Sequence, residues 1–88
     1  MKIKEGFVLH SVGDENVVVG IGKMTAKFRG MIRLNSTGAF IFRQLEKETD
    51  EKAVVSSLIA EYGIDEATAT TAAKTFISQL KDAGVLDI

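Results

Sequence analysis

Residues 30–45 read GMIRLNSTGAFIFRQL, and the fold turns on how this stretch divides. Met31, Ile32, Arg33 and Leu34 make a short strand candidate of alternating sides. Asn35 then offers a side-chain oxygen to the unpaired amides of a helical first turn. The helix predicted after it, over about 36–47, gathers Ala39, Phe42 and Leu45 on one face, widened by Phe40 and Ile41. Gly38 inside the first turn lowers helix stability, and its use there is to let a neighbour approach the backbone closely. A strand therefore hands over directly to a helix.

Two more β-rich runs lie upstream. FVLHSV (7–12) and NVVVGI (16–21) flank Gly13, Asp14 and Glu15, which suit a tight reversal, so a hairpin is expected. GKMTAKFRG (22–30) reads as a loop, and 31–34 is the third strand. Downstream, Thr49 is the expected cap of a second helix, with Asp50 and Glu51 in its first turn, where the helix dipole favours acids. Val54, Val55, Leu58, Ile59 and Tyr62 form its apolar stripe, and Gly63 ends it. Asp65 caps a third helix running to about Ala83, and Gly84 followed by Val85 forms a glycine stop with its hydrophobic contact. The order predicts an α+β chain of winged helix-turn-helix type: a three-stranded N-terminal β-sheet followed by three α-helices, with the hairpin as wing.

The 88 residues make a single domain over 1–88, large enough for one core. There is no cysteine, which excludes disulfides, thiolate metal sites and a cysteine nucleophile. The lone histidine, His10, reads as a strand residue; the acids near it belong to a turn tip and suit no acid–base geometry. Gly20, Gly22 and Lys23 imitate nucleotide loops poorly, because Thr25 stands where the third glycine is needed and Met24 follows the lysine. No catalytic residues, metal ligands or cofactor are therefore expected, and the chain reads as a non-enzyme. The N-terminus lacks a signal-type apolar core and no run approaches membrane thickness, so a cytoplasmic protein is expected.

Charge is unevenly laid out. The net charge is −1, yet residues 16–45 hold Lys23, Lys27, Arg29, Arg33 and Arg43 and no acid, whereas 46–88 hold nine acids against four lysines. A basic surface beside an acidic one attracts acidic peptide, phosphate or nucleic acid. On the third helix, Ala69, Ala73, Phe76, Leu80 and Ala83 cluster as core at 100° per residue. Thr70, Lys74, Ile77 and Lys81 run along an adjoining flank. That flank reads either as core edge with solvated lysines or as a shallow apolar groove with a basic rim. The alanines and threonines of the helix's first half leave room for another backbone, with a neighbouring helix as the simplest occupant.

LNSTGAFIF at the strand–helix junction, TDEKAVVSSLIAEYG, and the closing FISQLKDAGVLDI together resemble the PqqD-like family, also called RiPP recognition elements. The resemblance spans about Phe7 to Asp87 and rests on the ordered set rather than on one motif. It implies a non-catalytic adaptor that binds the leader segment of a ribosomally made precursor peptide. The adaptor presents that segment to a modifying enzyme, often a radical SAM enzyme. It further implies that the leader adds as a strand to Met31, Ile32, Arg33 and Leu34, against a helix wall drawn from Thr70, Lys74, Ile77 and Lys81. The first half lacks proline and in this looks closer to stand-alone members of other peptide clusters than to those serving pyrroloquinoline quinone (PQQ).

Strand addition needs little sequence, since main-chain hydrogen bonds supply affinity and alternate side chains supply selectivity. Arg33 beside a basic flank would favour an acidic leader. The competing reading is a winged-helix DNA-binding regulator. The helix that would enter the major groove carries only two lysines and Gln79, a poor set for phosphates and bases, so nucleic acid is the weaker partner. A free third-strand edge also admits a homodimer.

Overall fold

The β-branched residues of the N-terminal half form the sheet that their alternation predicts. In the computed structural model, which describes residues 1–23 and 31–87, β1 (Lys2–Ile3) precedes a hairpin of β2 (Phe7–Val12) and β3 (Glu15–Gly20); β4 (Ile32–Leu34) comes next. Gly13 turns the hairpin at φ +60°, the conformation glycine adopts without a Cβ penalty. Strand order is β2-β3-β4, antiparallel throughout, and Val18 lies opposite Leu9 on one side and Ile32 on the other. The loop expected over 22–30 falls outside the described residues from Met24 onward.

Three helices follow: α1 (Ser36–Leu45), α2 (Glu51–Tyr62) and α3 (Glu66–Asp82). The expected winged helix-turn-helix fold is thus present, three strands and then three helices. Each helix starts on a side-chain cap. Asn35 accepts from the Gly38 amide at 2.7 Å, Asp50 from Ala53 at 2.8 Å and Asp65 from Thr68 at 2.7 Å. The second cap is therefore Asp50, one residue after the expected Thr49, whose carbonyl instead accepts from the amino-terminal ammonium of Met1. α2 stops at Gly63, which takes φ +64°. α3 ends in a double turn: Val85 N–H donates to Leu80 and Gly84 N–H to Lys81. This is the Schellman arrangement, and Val85 is fully buried beneath it.

Phe7, Val18 and Leu34 from the sheet meet Ile41, Phe42, Leu45, Val54, Leu58, Phe76, Ile77 and Leu80 from the helices in one cluster. Ala83, expected in this core, is exposed, because the helix ends at Asp82. Tyr62 stays 42% exposed with its ring edge-on to Phe40, centroids 5.6 Å apart. Two short strands escaped the sequence reading: β1 pairs antiparallel with β5 (Leu86–Asp87), Lys2 opposite Asp87 and Ile3 opposite Leu86. Two-residue strands carry no period for a pattern to reveal.

The Asp65 cap makes α3 sensitive to acid. Hydrogen bonds from the Thr68 side chain, and then from its amide, hold the Asp65 carboxyl below its ordinary value of 3.8. A carboxyl lowered in the folded state stabilises fully above the ordinary value, and that contribution disappears as pH falls through the lowered one. Asp65→Asn keeps an accepting cap but removes the ionisation. Thermal melts across the acid range should therefore be flatter for Asp65→Asn than for the parent.

Candidate functional site

β4 has β3 on one side, and among the described residues no strand pairs with its other edge. Alternation along β4 follows the pleat: Leu34 is buried, Ile32 half-buried against the core, and Arg33 exposed, with Met31 before them 58% exposed. An open cavity of about 440 Å³ lies beside this strand, reached from Arg33, Leu34 and Asn35. Thr37, Gly38 and Ile41 of α1 form its floor, and Ala72, Thr75, Phe76 and Gln79 of α3 its far wall.

Gly38 creates this opening. A Cβ there would stand 2.7 Å from Cε2 of Phe76, 3.2 Å from the Asn35 Oδ1 and 3.3 Å from the Leu34 Cβ. Glycine is required because strand, cap and α3 converge on one point of the α1 backbone. Phe76, at 8% exposure, belongs both to the core cluster and to the lining of the cavity. A second hollow, bordered by Ala67, Thr68 and Thr71, meets the first at Ala72. The wall therefore runs from Ala67 to Gln79, about 18 Å at 1.5 Å per residue. An extended segment of roughly five residues fits that length.

The sequence-predicted residues divide between two places. Met31, Ile32, Arg33 and Leu34 lie at the free edge, as a strand-addition site needs. Thr70, Lys74, Ile77 and Lys81 do not join them. At 100° per residue their row lies about 160° around α3 from Ala72, Thr75 and Gln79, across the core-facing Ala69, Ala73 and Leu80. Ile77 itself is buried in the core, Thr70 is half-buried, and Lys74 and Lys81 are exposed away from the cavity. The groove wall has the same spacing as the expected row but is displaced by two residues: Thr68, Ala72, Thr75 and Gln79. The missed signal was the small size of the alanines and threonines, which leave space for a backbone.

This displacement changes the electrostatics. Among the described residues Arg33 is the one charged side chain at the cavity, and its guanidinium stands 3.6 Å from the Glu15 carboxylate with both side chains well exposed. An exposed pair of this kind contributes little, so Arg33 is available to an incoming acid. The rest of the surface is neutral and small. Among the described residues no group of three or more His, Asp or Glu side chains is placed to hold a metal ion, and no helix is long and apolar enough to cross a membrane.

The family model described as coenzyme PQQ synthesis protein D (PqqD) matches residues 7–86. Among solved structures, the chain is similar to "TbiB1 in Complex with the TbiA(beta) Leader Peptide", with a TM-score of 0.78 and 24% identity over 99% of this chain and 95% of that one. It is also similar to "Lasso peptide synthetase B1 complexed with the leader peptide", with a TM-score of 0.74 and 19% identity over 96% and 93%. At these identities the likeness is one of fold. No curated protein matches.

Proposed function

Since this chain belongs to the PqqD family, we propose that it is a non-catalytic peptide-binding adaptor. It captures the leader segment of a ribosomally made precursor as a fourth strand beside β4 and holds the remainder out to a modifying enzyme. The observation that carries this reading is that, among the described residues, the edge of β4 is unpaired and opens onto a small-residue cavity against α3. Both similar solved structures hold a leader peptide, by their own descriptions.

The free edge and the cavity beside it support the following roles. Main-chain groups of Met31, Ile32, Arg33 and Leu34 bond the leader, giving affinity with little sequence demand. Every second leader side chain turns inward onto Gly38, Ala72, Thr75 and Phe76, and Arg33 receives an acid at the rim. The partner enzyme is of the radical SAM class on the family resemblance, and the work is done in the cytoplasm, where precursors are made.

Titration of labelled protein with the leader of the precursor encoded beside it tests the site. Backbone signals of 31–34, Thr37, Ala72, Thr75 and Gln79 should move together and saturate. Lys74→Ala and Lys81→Ala should leave the leader Kd within about twofold, as expected for rim charges outside a contact. Leader binding that leaves 31–34 unmoved, or that collapses on loss of either lysine, would assign the groove to the opposite flank of α3.

A further inference from the structure

The sheet has a second face that the groove leaves unused. The alternation that buries Phe7, Val18 and Leu34 turns Val8, Val12, Val17, Val19 and Arg33 the other way. In the paired register Val8 lies opposite Val19, and Val17 lies between His10 and Arg33. Val8, Val17 and Val19 are half-buried, yet none is among the side chains packed against the core. Val12 at one margin is 69% exposed, and Met31 at the other is 58% exposed. One solvated face of an antiparallel sheet is ordinarily polar; this one is mostly valine. Among the described residues its two opposite charges, Arg33 and Glu15, sit 3.6 Å apart and offset each other.

Size decides what this face can hold. Three strands about 4.8 Å apart and some 20 Å long offer roughly 300 Å². A stable protein pair needs about 800 Å² on each side, so a second copy seated on this face alone falls well short. The leader reading, on which this step rests, enlarges the face. A strand added beside β4 continues the same sheet, and its outward side chains come to lie next to Met31 and Arg33.

We infer that the valine face, completed by the outward side chains of the bound leader, is the docking surface for the modifying enzyme, whose matching surface is apolar and weakly charged. The enzyme then recognises the loaded adaptor over the empty one. The precursor, held at once on the adaptor and in the enzyme's reaction site, supplies the remaining affinity through effective concentration.

The experiment uses the full chain, the leader segment and the modifying enzyme encoded beside it. The enzyme should bind the leader-loaded chain roughly tenfold or more tighter than the free chain, and by reciprocity should tighten leader binding by the same factor. Val19→Lys should hold the leader within about twofold but lose that coupling. Should Val19→Lys fail to fold, Val12→Lys, at an exposed position, is expected to weaken enzyme binding in the same direction. The inference is overturned if the enzyme binds both variants undiminished or binds free and loaded chains alike. Self-association of the chain that Val19→Lys abolishes would give the face to a second copy. Loss of fold in both variants would make it covered core. Failure of the unmodified chain to bind any leader would instead overturn the adaptor reading itself.

Discussion

Replacing Gly38 by valine is expected to weaken leader binding by about thirtyfold or more, equivalent to roughly 2 kcal/mol at 1.4 kcal/mol per tenfold. The new Cβ would lie 2.7 Å from the Phe76 ring, with Asn35 and Leu34 also inside ordinary contact. Phe76 cannot swing aside freely, because it is itself part of the buried cluster. The added branch must therefore push α1 from α3 or force the ring outward, and either movement alters the cavity proposed for the leader's inward side chains. Overpacking of this sort costs about 1–3 kcal/mol of stability, offset in part by the better helix propensity of valine over glycine. Titration calorimetry should show lost affinity in a chain that still melts cooperatively. Gly38→Ala, with the same Cβ but no branch, should fall between valine and the parent. Unchanged leader affinity in Gly38→Val would remove Gly38 and Phe76 from the contact surface.

The largest loss of stability is expected from Phe42→Ala. Phe42 is completely buried at the centre of the cluster that joins the sheet to the helices. Removing a buried phenylalanine ring costs about 3–5 kcal/mol, since the cavity collapses only in part. A domain of 88 residues is stable by about 4–13 kcal/mol at 0.05–0.15 kcal/mol per residue. The substitution thus consumes about a quarter or more of the total. Urea unfolding should show the midpoint falling steeply while the slope stays constant. Leader binding should be lost in proportion to the unfolded fraction, which separates this effect from that at Gly38. Together the two variants distinguish a residue that shapes the groove from one that holds its walls together.

Legibility in the sequence followed the range of the interactions. Asn35 and Asp65 were readable as caps because a cap acts within three residues. The three strands of the sheet and the three helices were readable from period alone. Thr49 and Asp50 were not separable, since either can cap and the choice is made by Thr49 bonding the first residue of the chain through its carbonyl. The wall of the groove was harder. Periodicity locates the centre of the core face of α3 at Ala69, Ala73 and Leu80 but treats the two flanks alike. Ile77 between two lysines was the more conspicuous flank, whereas Ala72, Thr75 and Gln79 look featureless. What chooses between them is the close approach of Gly38 to Phe76, a pairing across 37 intervening positions that no local pattern encodes. The valines of the outer sheet face were visible as letters, but which of them alternate outward became plain only from the strand register.

The short ladder between β1 and β5 has a use in engineering. Lys2 faces Asp87 across an antiparallel pair, where opposed Cα atoms stand only about 4.5–5.5 Å apart. Both ends of the fold thus leave from a single point, to which the groove-lining residues do not belong. Such an arrangement lets a domain be spliced into a host loop, circularised or permuted with a linker of a few residues. The domain can then be grafted as a cassette onto an enzyme of choice, with β4 and the cavity beside it left intact.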